Sequence, residues 1–387
     1  MKDTAPATQA DTGSAGVSPQ SLQAALDTAL AKGQTEKARE ILAELLRRPR
    51  LESDVLLQAG VKLAQLELYV EASQAFARCV QDYPELFEGH YNLALAELAL
   101  GKFPEALAAI EKAPDISKQQ EVAGLYLRGK IEDAMGKTHE AEQDLSAAFA
   151  QAPQEENYAL DLGLFYLRQR VYQKASEVFE RGAAFQTSSP FLLLGLSLAR
   201  YLGGHPAEAV ETCRRILQAQ PDFSPARVLM AFALYIDGKF EEAEKVTAAG
   251  LGAPHPFPYL YYIHAATLLK LQSKEYERML GDLALATRAI ASCSLCSLTQ
   301  SKVHQAMGDA VAAITDLKKA VTLDPAFPEA WYRLASLYDQ NGRHEDARQA
   351  RTRFRALKEE KSNRETEMIR NVFLQTLAGG EASAGSH

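Results

Sequence analysis

Signatures of catalysis and of membrane insertion are what this sequence lacks. No uninterrupted apolar stretch reaches the roughly 18 to 20 residues that cross a bilayer, so no membrane span is expected. The nucleophile motif G-x-S-x-G and the zinc motif H-E-x-x-H are both missing. Gly136-Lys137-Thr138 has the ending of a phosphate-binding loop, but that loop needs a glycine where Ile131 stands, and nucleotide binding is not expected. The histidines are scattered, and His90, His264 and His304 read as packing or rim residues. No set of titratable groups stands at catalytic spacing, so the chain is read as no enzyme, with no cofactor and no metal.

Positive charge is also short. Lys and Arg number 42 against 50 Asp and Glu, a formal net charge of -8. Affinity for a phosphate backbone comes largely from neutralising it, so no nucleic-acid partner is expected. Arg343 to Arg370 is locally basic, which a solvated helix face explains. Residues 1–18 hold a single Lys and no apolar core, unlike a secretory signal or a transit peptide. They read as a disordered lead, with a cytoplasmic location by default and an exported or periplasmic one as the alternative if a signal was removed.

Cysteine occurs four times. Cys79 and Cys213 stand alone, where a free thiol packs as a small hydrophobe. Cys293-Ser-Leu-Cys296 has a spacing that suits a disulfide or half of a zinc site. Zinc needs four ligands and no second pair follows, which leaves a disulfide or two packed thiols.

What is present is a period of 34 residues. Alanine recurs at 38, 72, 106, 141, 175, 209, 243, 313 and 347, and glycine stands five residues earlier at 33, 101, 136, 204, 238, 308 and 342. Pro84, Pro153, Pro221 and Pro325 close the unit, which runs apolar helix, glycine turn, aromatic, alanine-centred helix. Repeats then start near Pro19, Ser53, Phe87, Val122, Glu156, Pro190, Ser224, Pro258, Ser294 and Pro328. The eighth is irregular, with Met279 in the alanine slot. Leu251 to Pro258 carries three prolines and is a candidate bend in the stacking. Small residues let two helices cross closely, while Leu93, Gly163, Leu196, Met230 and Leu334 on first helices are set to face Phe76, Ile110, Leu145, Phe179 and Leu317 on second helices.

This pattern resembles the tetratricopeptide repeat (TPR) family, most clearly in His90-Tyr-Asn-Leu-Ala through Gly101-Lys-Phe-Pro-Glu-Ala106 and in Trp331-Tyr-Arg-Leu-Ala through Gly342-Arg-His-Glu-Asp-Ala347. The resemblance implies an all-α, right-handed superhelical solenoid of ten tandem helix-turn-helix repeats over residues 19–361, read as one elongated domain. A capping helix over 362–378 is expected to cover the end of the tenth repeat, through Met368, Ile369, Val372, Phe373 and Leu377. Gly379-Gly380 should stop it, leaving 379–387 as a disordered tail.

In the family, first helices line a concave groove that holds peptides or helices. Carried onto this sequence, the lining is Tyr91, Asn92, Tyr126, Lys130, Asp133, Leu160, Asp161 and Leu164, then Phe191, Leu194, Leu198, Tyr201, Val228, Phe232, Tyr235, Tyr259 and Tyr262, then Lys302, Tyr332 and Arg333. Repeats five to eight should present exposed apolar and aromatic groups, a partner surface. The groove resembles neither the carboxylate clamp of chaperone-binding members nor the asparagine ladder of O-linked N-acetylglucosamine transferase, because Asn92 and Lys130 are isolated. The resemblance therefore implies a protein-interaction scaffold or adaptor binding a peptide or partner helix. Its alternatives are a redox-responsive adaptor switched by Cys293 and Cys296, and an accessory subunit of an enzyme.

Overall fold

The computed structural model describes residues 18–49, 51–114, 117–185, 189–253, 256–357 and 364–384. Among them are 21 helices and no strand. Nine of the ten first helices begin on the residue that the 34-residue period names. The fourth starts four residues early, at Lys118, because the Ser117 side chain accepts from the Gln120 N–H and caps the helix there.

The helices gather into two compact units, residues 1–152 and 153–387, and not into the single domain expected from the unbroken period. The first unit holds α1 (Pro19–Ala31), α2 (Thr35–Leu46), α3 (Ser53–Gln65), α4 (Tyr69–Asp82), α5 (Phe87–Ala99), α6 (Phe103–Glu111), α7 (Lys118–Ala134) and α8 (Thr138–Gln151). The second holds α9 (Glu156–Arg168), α10 (Tyr172–Phe185), α11 (Pro190–Leu202), α12 (Pro206–Ala219), α13 (Ser224–Ile236), α14 (Phe240–Leu251), α15 (Pro258–Lys270), α16 (Tyr276–Ala289), α17 (Ser294–Met307), α18 (Ala310–Leu323), α19 (Pro328–Gln340), α20 (His344–Leu357) and α21 (Arg364–Ala384). Within each unit the helices pair in sequence order and each pair stacks on the next, the arrangement of an all-α helical-repeat solenoid. Stacking continues across 251–258, since α15 packs on both α13 and α14; residues 254 and 255 lie outside the described residues.

The alanines of the period are the crossing points. All nine are fully buried, and Met279 is equally buried in the irregular repeat. The seven period glycines all adopt positive φ, the left-handed turn that joins the two helices of a repeat. Three repeats lack that glycine, yet Glu67, Arg170 and Gln272 hold the same conformation with φ of 60°, 60° and 55°. Packing of the helix pair therefore fixes the turn, against a local cost of about 1–2 kcal/mol for a side chain in this region.

Second-helix aromatics fill the gaps between first helices. Phe179 of α10 is fully buried against the backbones of α9 and α11, where Gly163 and Gly195 leave room for its ring. Leu145, Leu317, Leu196, Met230 and Leu334 are buried as expected.

The last helix departs from expectation in extent and in place. α21 continues through Gly379 and Gly380 to Ala384, so the expected stop and the expected tail from 379 are both corrected; residues 385–387 lie outside the described residues, as do 1–17. Glycine in a helix interior costs about 1 kcal/mol, which weakens a helix without ending it. Nor does α21 cover the end of the tenth repeat. It packs on α9, α11 and α13, the first helices of repeats five, six and seven.

Candidate protein-binding face

In the first unit the expected lining residues are partly buried and engaged with near neighbours. Tyr91 stacks on Phe87 at 5.5 Å between ring centroids. The Asn92 side-chain amide donates to the Glu88 carbonyl of its own helix at 2.8 Å, so it is turned back on α5. Lys130 Nζ lies 5.3 Å from the Tyr126 ring centroid, within cation–π range, and Asp133 is half-buried one turn on. Beside them the first-helix face is more apolar than the sequence reading allowed. Val61 and Leu95 are exposed and share a cleft of about 480 Å3 with Asn92, Tyr69 and Leu98. Both occupy the ninth position of their repeats, the position that also yields Lys130, Leu164, Leu198, Phe232 and Lys302, so the signal was available.

In the second unit the expected exposed surface is covered. Leu160, Leu164, Leu194, Leu198, Tyr201, Val228, Phe232 and Tyr262 are all buried, with Phe232 and Tyr262 stacked at 6.1 Å. Asp161, Phe191, Tyr235 and Tyr259 are half-buried. The cover is α21, whose Ile369, Phe373 and Leu377 are fully buried on the side where α9, α11 and α13 lie. Each large apolar side chain removed from water in this way contributes roughly 1.5–3 kcal/mol.

Polar contacts fix the N-terminal end of α21. Arg364 Nε donates to Asp324 at 2.6 Å, its guanidinium also bonds the Ala326 carbonyl, and it lies 4.8 Å from the Phe327 ring centroid. The Tyr262 hydroxyl donates to Glu365 at 2.8 Å, and Arg170 pairs with Glu367 at 2.9 Å. Glu365 thus sits among three phenols. Burial pushes Tyr201 up to about 12, with the Glu365 charge adding to it, and burial and then Glu365 raise Tyr235 and Tyr262 as well. All three phenols are accordingly neutral across the physiological range, and Tyr262 donates to Glu365.

Further along, Lys302 and Arg333 share Glu329, at 3.0 and 2.9 Å. Burial works against the Glu329 charge, but these two cations hold its carboxyl below the usual range. Tyr332 is 58% exposed, the most open of the expected lining residues, and leans on Phe354 of α20 at 5.4 Å.

Cys293 and Cys296 are joined in a disulfide at the start of α17. It borders a small cavity of about 210 Å3 that Arg364 and Met368 of α21 also line. Cys79 and Cys213 are free and buried, and burial raises their thiols to about 11 and about 12, which keeps them unreactive. His264 and His304 each bond an aspartate of the following helix at 2.6 Å, Asp282 and Asp316, and serve packing within their repeats.

Among the described residues no helix is long and apolar enough to cross a membrane. Family profiles described as tetratricopeptide repeat match residues 71–121, 126–190 and 304–350. Human tetratricopeptide repeat protein 13 is 25% identical over 171 residues, 41% of this chain and 19% of that protein. ETO1-like protein 1 of Arabidopsis thaliana is 29% identical over 173 residues, 43% of this chain and 18% of that protein. The chain thus spans about a fifth of the length of these relatives. A solved tetratricopeptide repeat protein from Parabacteroides merdae aligns with a TM-score of 0.47 at 17% identity, over 65% of this chain and 98% of that one. With ten helix pairs, a buried alanine at nine crossings and left-handed turns kept even where glycine is absent, the chain is a member of the tetratricopeptide repeat family.

Proposed function

We propose that this protein is a non-enzymatic scaffold or adaptor whose first-helix face in the second unit holds a helix of a partner protein. Tetratricopeptide repeats are protein-interaction modules, and the observation that carries the finer reading is the occupant already on that face. α21 lies on α9, α11 and α13 as an amphipathic helix with its apolar row buried, which favours a helix over an extended peptide. Buried aromatic anchors such as Phe232 and Tyr262 are the kind of residue that dominates binding energy. Half-buried charges such as Asp161 set orientation and salt dependence instead.

The test uses a partner recovered with the full-length chain as bait and then purified. A photo-reactive residue in place of Asp161 on α9 should cross-link it, and one in place of Glu211 on the exposed side of α12 should not. Cross-linking from position 211 alone would exclude the first-helix face.

A redox-responsive version of the same adaptor is supported by one observation, the disulfide of Cys293 and Cys296 bordering the cavity that Arg364 and Met368 line. Partner affinity would then change on adding a dithiol reductant to the wild-type chain and stay constant for Cys293→Ser with Cys296→Ser.

A further inference from the structure

The placement of α21 carries more than a covered face. Glu365, Ile369, Phe373 and Leu377 stand four residues apart and so form one ridge along the helix. The first bonds Tyr262 and the other three are fully buried. The opposing surface is adapted to it as well. Arg170 stands in a left-handed turn, φ 60°, at the position where seven other repeats carry glycine, and its guanidinium is directed at Glu367.

Three fully buried apolar side chains and a few charged pairs, of which Arg170–Glu367 has an arginine 56% exposed and Arg364–Asp324 one 18% exposed, hold α21 as a single helix on the face, the form of a helix-in-groove contact. Residues 358–363 are all that separates α21 from α20 in sequence.

We infer that α21 is an internal ligand of this face, and that the partner which replaces it is a helix carrying the same ridge: a carboxylate followed, at four-residue steps, by three apolar side chains with an aromatic in the middle. This rests on the proposed function and names its partner class. A short tether holds its ligand at an effective concentration on the order of 1 mM. If the free α21 helix binds with a Kd of about 10 μM, the tethered copy leaves the face open about 1% of the time and weakens any competitor about 100-fold.

The experiment titrates a fluorescein-labelled peptide of residues 364–384 into full-length chain and reads anisotropy, with no partner present. Phe373→Glu in the full-length chain puts a carboxylate on the apolar surface and should release its own α21. That variant should bind the wild-type peptide about 100-fold more tightly than the wild-type chain does, and should ignore a peptide carrying Phe373→Glu. Equal affinity of the two chains overturns the inference, as does a variant of unchanged helicity that binds nothing. Should Phe373→Glu lose helicity in the repeats, the decision passes to Arg364→Ala, which removes the anchor to Asp324, Ala326 and Phe327 and leaves the apolar ridge intact. It should then bind the peptide about tenfold more tightly than wild type, and equality again overturns the inference. A wild-type chain that dimerises at the titration concentration by light scattering would assign α21 to a second copy, which also overturns it. Partner cross-linking at position 161 together with no gain in peptide binding would leave the proposed function standing and remove only this inference.

Discussion

Replacing Gly195 by alanine tests the packing that builds the groove floor. A Cβ on Gly195 would stand 2.5 Å from Phe179 Cε1 and 2.6 Å from Cζ, well inside van der Waals contact. The ring cannot retreat, because on its other side a Cβ built on Gly163 would lie 2.3 Å from Cζ, which measures how closely the α9 backbone already approaches. Overfilling a packed site costs about 1–3 kcal/mol. Against this, alanine in a helix interior gains about 1 kcal/mol over glycine. Gly195→Ala alone should therefore be neutral to destabilising by about 2 kcal/mol. In a Phe179→Leu background the distal ring atoms are gone, only the propensity gain remains, and the same change should stabilise by about 1 kcal/mol. Urea denaturation of the four proteins of this cycle gives the coupling, expected at about 1–3 kcal/mol. A Gly195→Ala effect of the same sign and size in both backgrounds would refute the close approach of α9, α10 and α11 around Phe179.

Other expectations follow from the same structure. Ala141 is fully buried at the crossing of α7 and α8, so Ala141→Glu should lower the urea midpoint by several kcal/mol equivalent through an unpaired buried carboxylate, whereas an unchanged midpoint would contradict the assigned crossing. Burial raises the Tyr201 phenol to about 12, so its contribution to folding is full below pH 10, the ordinary phenol value, and is lost as pH rises towards 12. In an alkaline absorbance titration Tyr201→Phe should remove a late-titrating phenol, and loss of amplitude near pH 10 instead would contradict its burial. Mass analysis after alkylating the unfolded, unreduced chain should show two adducts, on Cys79 and Cys213, and four after reduction; four without reductant would rule out the Cys293–Cys296 bond.

The helix pairs were legible because their code is local. A small residue at each crossing and a residue able to turn left-handed five positions earlier are requirements of one repeat, so they recur wherever the repeat does. Even the missing glycines at 67, 170 and 272 did not hide it, since their neighbours kept the period. The early start of α7 escaped because Ser117 adds a cap outside the period. The division at Ala152–Pro153 escaped because the period runs through it without a gap.

The last helix was legible as amphipathic but not as to where it docks. A buried row of Ile369, Phe373 and Leu377 fits an end cap as well as a groove, and what selects between them is Tyr262, Arg170 and Asp324, residues distant in sequence. For the same reason Leu164, Leu198 and Phe232 were named as lining residues while their burial was not foreseen. Their identity is set by position in the repeat, and their exposure by a helix that lies well over 100 residues further along the chain.

Whether α21 rests on α9, α11 and α13 is decided most directly by amide hydrogen exchange across Ile369–Leu377 in the full-length chain, read beside that of α11. Slow exchange in both, with α21 losing its protection and α11 exchanging faster on Phe373→Glu while α3 and α4 of the first unit stay unchanged, is the predicted result. Exchange in α21 at the rate of an unfolded peptide in the wild-type chain, or α11 protection that does not respond to Phe373→Glu, would contradict it.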